Sequence, residues 1–113
     1  MSQPAPFDEI RALTQELRTS SSLYWADLRD LPTRRGVTVD AAVLVDRSVD
    51  EDLDFLTLVL EESRAVEIEY VDRHYAPGRR PEIRTWLDVA PGTPEWSLYC
   101  DPIELALARR AEI

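Results

Sequence analysis

The stretch Leu53 to Asp72 constrains this chain more than any other, because it concentrates the β-branched, aromatic and aliphatic side chains that a core needs. Its second half alternates cleanly. Val66, Ile68 and Tyr70 point one way and Glu67 and Glu69 the other, which is the period of a half-buried strand. Its first half admits two readings. Leu53, Phe55, Leu56, Leu58, Val59 and Leu60 would cover every side of a helix, a pattern better suited to a strand buried on both faces. Against that, Ser48-x-x-Glu51 has the form of a helix capping box, which would make 50–63 a helix and the centre a β-α-β crossover. The strand accounts for the pattern better, and a hairpin at Glu61 to Arg64 then joins the two halves into a meander.

The flanks supply the covers for this centre. Phe7, Ile10, Leu13 and Leu17 form one apolar stripe on a helix of about Asp8 to Thr19, preceded by a loose end at 1–6 that holds Pro4 and Pro6. Ser20 to Ser22 break it. In the segment from Leu23 to Leu31, Tyr24, Leu28 and Leu31 share a helical face while Leu23 and Trp25 share a strand face, and Pro32 ends either version. Val37, Val39, Ala41, Val43 and Val45 alternate with Thr38, Asp40, Ala42, Leu44 and Asp46, which reads as a strand. Ile83, Thr85, Leu87 and Val89 read as another, with Arg84, Trp86 and Asp88 on its polar face. Ala90 to Pro94 is a turn, and Trp96, Leu98 and Cys100 alternate as a short fifth strand. Asp101 as cap and Pro102 at the first helical position then start a helix to about Ala111. The expected fold is α+β, in one domain spanning 1–113. It is a mainly antiparallel sheet of four or five strands with an N-terminal and a C-terminal helix packed on one face.

Charge narrows the partners. The formal net charge is −9, so phosphate backbones and anionic lipid repel this surface, and neither nucleic acid nor membrane is an expected partner. A basic protein is, because an acidic surface steers one towards it. All 13 basic residues are Arg, and Lys and Asn are absent, a bias that a GC-rich coding sequence explains without reference to mechanism. Cys100 is the only cysteine, so there is no internal disulfide and no thiolate metal cluster. The opening residues lack the charged and apolar regions of a secretory signal, and the expected location is the cytoplasm.

Few residues offer chemistry, and the chain calls for no cofactor. Asp46, Asp50, Asp52 and Asp54 alternate as calcium-loop ligands do, but Phe55 stands where such a loop needs glycine, so a solvated acidic connection is the better reading. His74 is the one candidate for a neutral-pH base, and Cys100 the one thiol it could activate. Glu82, Asp88 and Glu95 could pair as acid and base, yet carboxylates are too abundant here to single them out. The aromatic content is more informative. Trp86 on a polar strand face, with Tyr75, His74, Arg79 and Arg80 in the exposed loop 74–81, has the composition of an interface anchor. The expectation that follows is a non-enzymatic binding module for a more basic protein, of the antitoxin or immunity kind. The alternatives are a self-associating structural subunit, such as a homodimer, and a small ligand-binding or enzymatic domain built on the His74 loop.

Overall fold

A computed structural model describes residues 6–49, 53–61, 64–71 and 81–113. The fold is α+β: a four-stranded antiparallel sheet with helices on it, the N- and C-terminal ones included. Helix α1 (Pro6–Thr19) is followed by α2 (Leu23–Thr33), a 3-10 turn (Val39–Ala41), strands β1 (Val43–Val49), β2 (Asp54–Val59), β3 (Ala65–Val71) and β4 (Glu82–Val89), helix α3 (Pro94–Ala108) and a final 3-10 turn (Arg110–Glu112). The strands lie side by side in chain order, so the centre is the meander and not the crossover. Ser48 caps no helix; it lies in β1, and its hydroxyl donates to Asp46 Oδ2 at 3.0 Å.

Each face of the sheet has its own core. Leu44, Leu58 and Val66 oppose one another across β1, β2 and β3, as do Leu56 and Ile68 across β2 and β3. These pack with Leu17, Leu28 and Leu31 from α1 and α2, all fully buried or within 1% of it. On the other face the row Val43, Val59, Ala65 and Val89 packs against Ile103 and Ala106 of α3. The expectation that the terminal helices share one face is therefore corrected. The double burial of β2 requires a cover on each side, and α2 and α3 supply them. Helix α1 lies along the β1 edge and sends Leu17 to one core and Ile10 to the other. Burying each such side chain contributes about 1.5–3 kcal/mol.

Local signals explain the helix ends. Ser22 caps α2 by accepting from Trp25 N at 3.3 Å, which resolves the ambiguous segment as helix, with Pro32 in its last turn. Arg29 of α2 closes the end of α1 by donating to the carbonyls of Leu17 at 2.6 Å and Ser20 at 2.7 Å. The expected fifth strand is corrected as well: residues 96–100 are the first turns of α3. Thr93 caps that helix, accepting from Trp96 N at 3.3 Å, and Pro94 opens it. Pro91 and Gly92 turn the chain into the cap, with Gly92 at φ +93° and Thr93 N donating to Ala90 O at 3.1 Å. Asp101 and Pro102 imitate the same start signal one helical stretch later. Pro102 is tolerated inside α3, where the backbone bond it forfeits would have gone to Leu98, a residue 74% exposed.

The strand expected from Val37 begins only at Val43, because β2 ends at Val59 and offers the earlier residues no partner. Their backbone groups are satisfied otherwise. Ala41 N and Ala42 N bond back to Thr38 and Val39, Arg18 donates to Ala42 O at 2.9 Å, and Arg110 donates to Ala41 O and to Leu60 O, the latter at 2.9 Å.

Candidate functional site

Two β-bulges decide which side chains share a face. In β1, Leu44 pairs with Leu58 but Asp46 pairs with Thr57, so Val45 is the extra residue. Without that bulge Asp46 would follow Leu44 into the α2 core; with it, Asp46 joins the α3 face. In β4, Thr85 pairs with Glu69 and Ile83 with Tyr70, which leaves Arg84 as the extra residue. Ile83 and Trp86 therefore both face the core beneath α2.

The alternation leaves Trp86 open between an exposed interface anchor and a ring packed under the first helix, and the register turns it inward, to the core beneath α2. It is half-buried against the core of Leu56 and Ile68, under the Arg35 guanidinium, whose carbon lies 5.5 Å from the ring centroid. Arg34 is likewise engaged, with Asp30 at 2.6 Å and the carbonyl of Pro81 at 3.1 Å. Leu87, expected on the apolar face, is instead 44% exposed on the α3 side. The remaining expected residues, His74, Tyr75, Arg79 and Arg80, lie outside the described residues. Asp88 pairs with Arg64 at 2.8 Å, and Cys100 sits half-buried on α3 with its thiol 3.8 Å from Asp101 Oδ1.

What the structure assembles is a polar half-face that the sequence does not announce. Helix α3 covers the row from Val43 to Val89. The next row on the same face reads Asp46, Thr57, Glu67 and Leu87 across the four strands, and the one beyond it reads Ser48, Phe55, Glu69 and Thr85. Tyr99 of α3 reaches down onto the first of these rows, beside Glu67 and Thr57. The second row has Ser48, Phe55, Glu69 and Thr85 all partly open to solvent. The site is therefore a sheet surface bearing the carboxylates of Asp46, Glu67 and Glu69, with Phe55, Leu87 and Tyr99 as its apolar and aromatic elements.

Its electrostatics are those of an unneutralised acidic surface. Burial pushes the Tyr99 phenol up to about 12, and the neighbouring Glu67 carboxylate, with Asp46 behind, adds to the shift. Thr57 is completely buried; the Tyr99 phenol lies beside its hydroxyl, but among the described residues no partner reaches hydrogen-bonding geometry, and the same holds of the Thr85 hydroxyl. Arg84, the bulged residue, approaches Glu69 at 3.6 Å from an exposed position, a loose pairing that leaves most of the negative charge in place. Among the described residues, no group of three or more His, Cys, Asp and Glu side chains is placed to hold a metal ion.

The sheet edges are poorly suited to adding a strand from a partner. The Thr14 hydroxyl of α1 accepts from Leu44 N at 2.9 Å, occupying the outer edge of β1 next to its bulge. Strand β4 carries its own bulge and the charged residues Glu82, Arg84 and Asp88, features that discourage strand addition. Among the described residues, no helix is long and apolar enough to cross a membrane. The signal that could have revealed the site was partly visible: the alternation of Glu67 and Glu69 marks a solvent side, but only pairing register puts Asp46, Phe55 and Leu87 beside them. Compared with known proteins, the chain matches no family model, no curated protein and no solved structure.

Proposed function

We propose that this protein is a non-enzymatic binding module that engages a more basic protein through the polar half of the sheet face that α3 covers in part. The observation that carries this reading is the pair of rows holding Asp46, Glu67 and Glu69 beside Phe55, Leu87 and Tyr99, on a chain whose net charge is −9. Aromatic and apolar side chains give such a surface area to bury, and the carboxylates select Arg- or Lys-bearing partners and hasten their encounter. A second copy is the poorer fit, because it would set the same carboxylates against themselves, and both edge strands are bulged.

The test is affinity capture with the native chain and with the variant Asp46→Asn/Glu67→Gln/Glu69→Gln, after circular dichroism has shown that the variant folds. The expected result is one stoichiometric partner of basic isoelectric point, held by the native chain, released by salt and lost from the variant. Equal retention by both chains, or no stoichiometric basic partner at all, overturns the reading.

A further inference from the structure

Beside the acidic half-face, and sharing Asp46 with it, a groove of about 380 Å³ runs between α1, β1 and α3. Its apolar lining is Ile10 and Leu13 from α1, Val45 from the β1 bulge, and Pro102 and Leu105 from α3. Its rim carries Glu9, Asp46 and Asp101, one from each element. Among the described residues none of these carboxylates forms an ion pair; Asp46 accepts only from Ser48, and Asp101 has the weak thiol contact of Cys100. Arg47 also borders the groove, but its guanidinium is engaged over the Tyr24 ring, 4.8 Å from the centroid.

An apolar channel with a carboxylate rim is complementary to one kind of group, an aliphatic chain ending in a cation. The stem loses water against Leu13, Val45 and Leu105 while the charged tip stays at the rim. The volume lies within the range of small-ligand sites, roughly 300–1,000 Å³, which is more than one side chain needs and leaves room for the backbone that presents it. Resting on the reading of the acidic half-face as a docking surface, we infer that this groove is its anchor point and takes a lysine or arginine side chain of the basic partner. The bulge at Val45 builds both parts. It turns Val45 towards Ile10 as groove lining and places Asp46 where groove and half-face meet.

The groove can be tested without the partner. Isotope-labelled protein is titrated with n-butylamine, n-butanol and spermidine, and with a short peptide bearing one lysine or one acetyl-lysine, while the methyl resonances of Leu13, Val45 and Leu105 are followed. Butylamine and the lysine peptide are expected to shift these resonances, and butanol and the acetylated peptide to do so far less. The variant Asp46→Asn/Asp101→Asn should weaken butylamine binding roughly three- to tenfold while leaving the fold intact. Saturation by butanol at the same concentration as butylamine overturns the proposal, because the rim charge would then play no part. Silence of all three resonances overturns it as well. Saturation by spermidine well below the lysine peptide assigns the groove to free polyamines and overturns the side-chain assignment. The half-face is probed separately by Glu67→Gln/Glu69→Gln, which leaves the groove untouched. A chain that captures a basic partner but ignores butylamine refutes the groove alone, and one that binds butylamine but captures nothing refutes the half-face alone.

Discussion

Thr14 and Thr57 are both completely buried, and the same substitution should move the protein in opposite directions at the two positions. At Thr57 the hydroxyl has lost water and, among the described residues, has no partner of hydrogen-bonding geometry. Such a group costs about 1 kcal/mol here, the low end of the usual range because the Tyr99 phenol lies beside it, and replacing it with a methyl removes that cost and adds about 0.8 kcal/mol of apolar burial. Valine keeps the β-branched shape that suits β2, so Thr57→Val should stabilise the fold by about 1–2 kcal/mol. At Thr14 the hydroxyl oxygen accepts from Leu44 N at 2.9 Å. Thr14→Val leaves that buried amide without an acceptor and should destabilise by about 1–3 kcal/mol. For a 113-residue chain 1 kcal/mol corresponds to roughly 4 °C in Tm, so the two variants should melt on either side of the native protein by several degrees. Urea unfolding gives both free energies, and unchanged m values confirm that stability alone has moved. If Thr57→Val destabilises by about 1 kcal/mol or more, the hydroxyl does have a partner. Tyr99 is the neighbour positioned to be that partner, and the account of the half-face would need that bond.

Further expectations concern the ends of α3 and its phenol. Thr93→Ala removes the oxygen that accepts from Trp96 N and should cost about 1 kcal/mol in urea unfolding, whereas Asp101→Ala, in mid-helix, should cost no more than about 0.5 kcal/mol. Gly92→Ala forces a side chain into the left-handed region at φ +93° and should destabilise by roughly 1 kcal/mol, although no atom lies within 4 Å of the added carbon. Tyr99 should titrate late, near 12, by ultraviolet phenolate absorbance, and Glu67→Gln should bring it part of the way back towards 10, burial accounting for the rest. Because its folded pKa lies above the unfolded one, its contribution to stability is whole below pH 10 and is lost as pH rises towards 12; Tyr99→Phe should reduce that loss. A Tyr99 titration at the ordinary value would remove Glu67 and Asp46 as its neighbours.

Some of this was readable from the chain because the physics is local. The apolar stripe of Phe7, Ile10, Leu13 and Leu17 needs only helical periodicity, and the alternation from Ala65 to Val71 needs only the pleat of a strand. The two-sided apolar character of 53–60 rightly implied a strand with cover on both faces, and that was enough for the α+β class. The start of α3 was misread although its signals were local, because Thr93-Pro94 and Asp101-Pro102 carry the same start chemistry. Packing of Tyr99 and Ile103 against the sheet selects the first.

The candidate site belongs to the other category. Periodicity by itself determined that Glu67 and Glu69 face away from the core beneath α2, and composition determined that the chain is acidic. Neither could determine that Asp46 joins them, that Trp86 is drawn under Arg35, or that Leu87 is turned out. The first depends on the bulge at Val45, and the other two on which way the unbroken register from Thr85 to Val89 faces, the extra residue Arg84 parting them from Ile83. Where such a residue is inserted is decided by how two strands far apart in sequence pair under the helices that cover them. That competition among long-range contacts is settled only in the folded molecule.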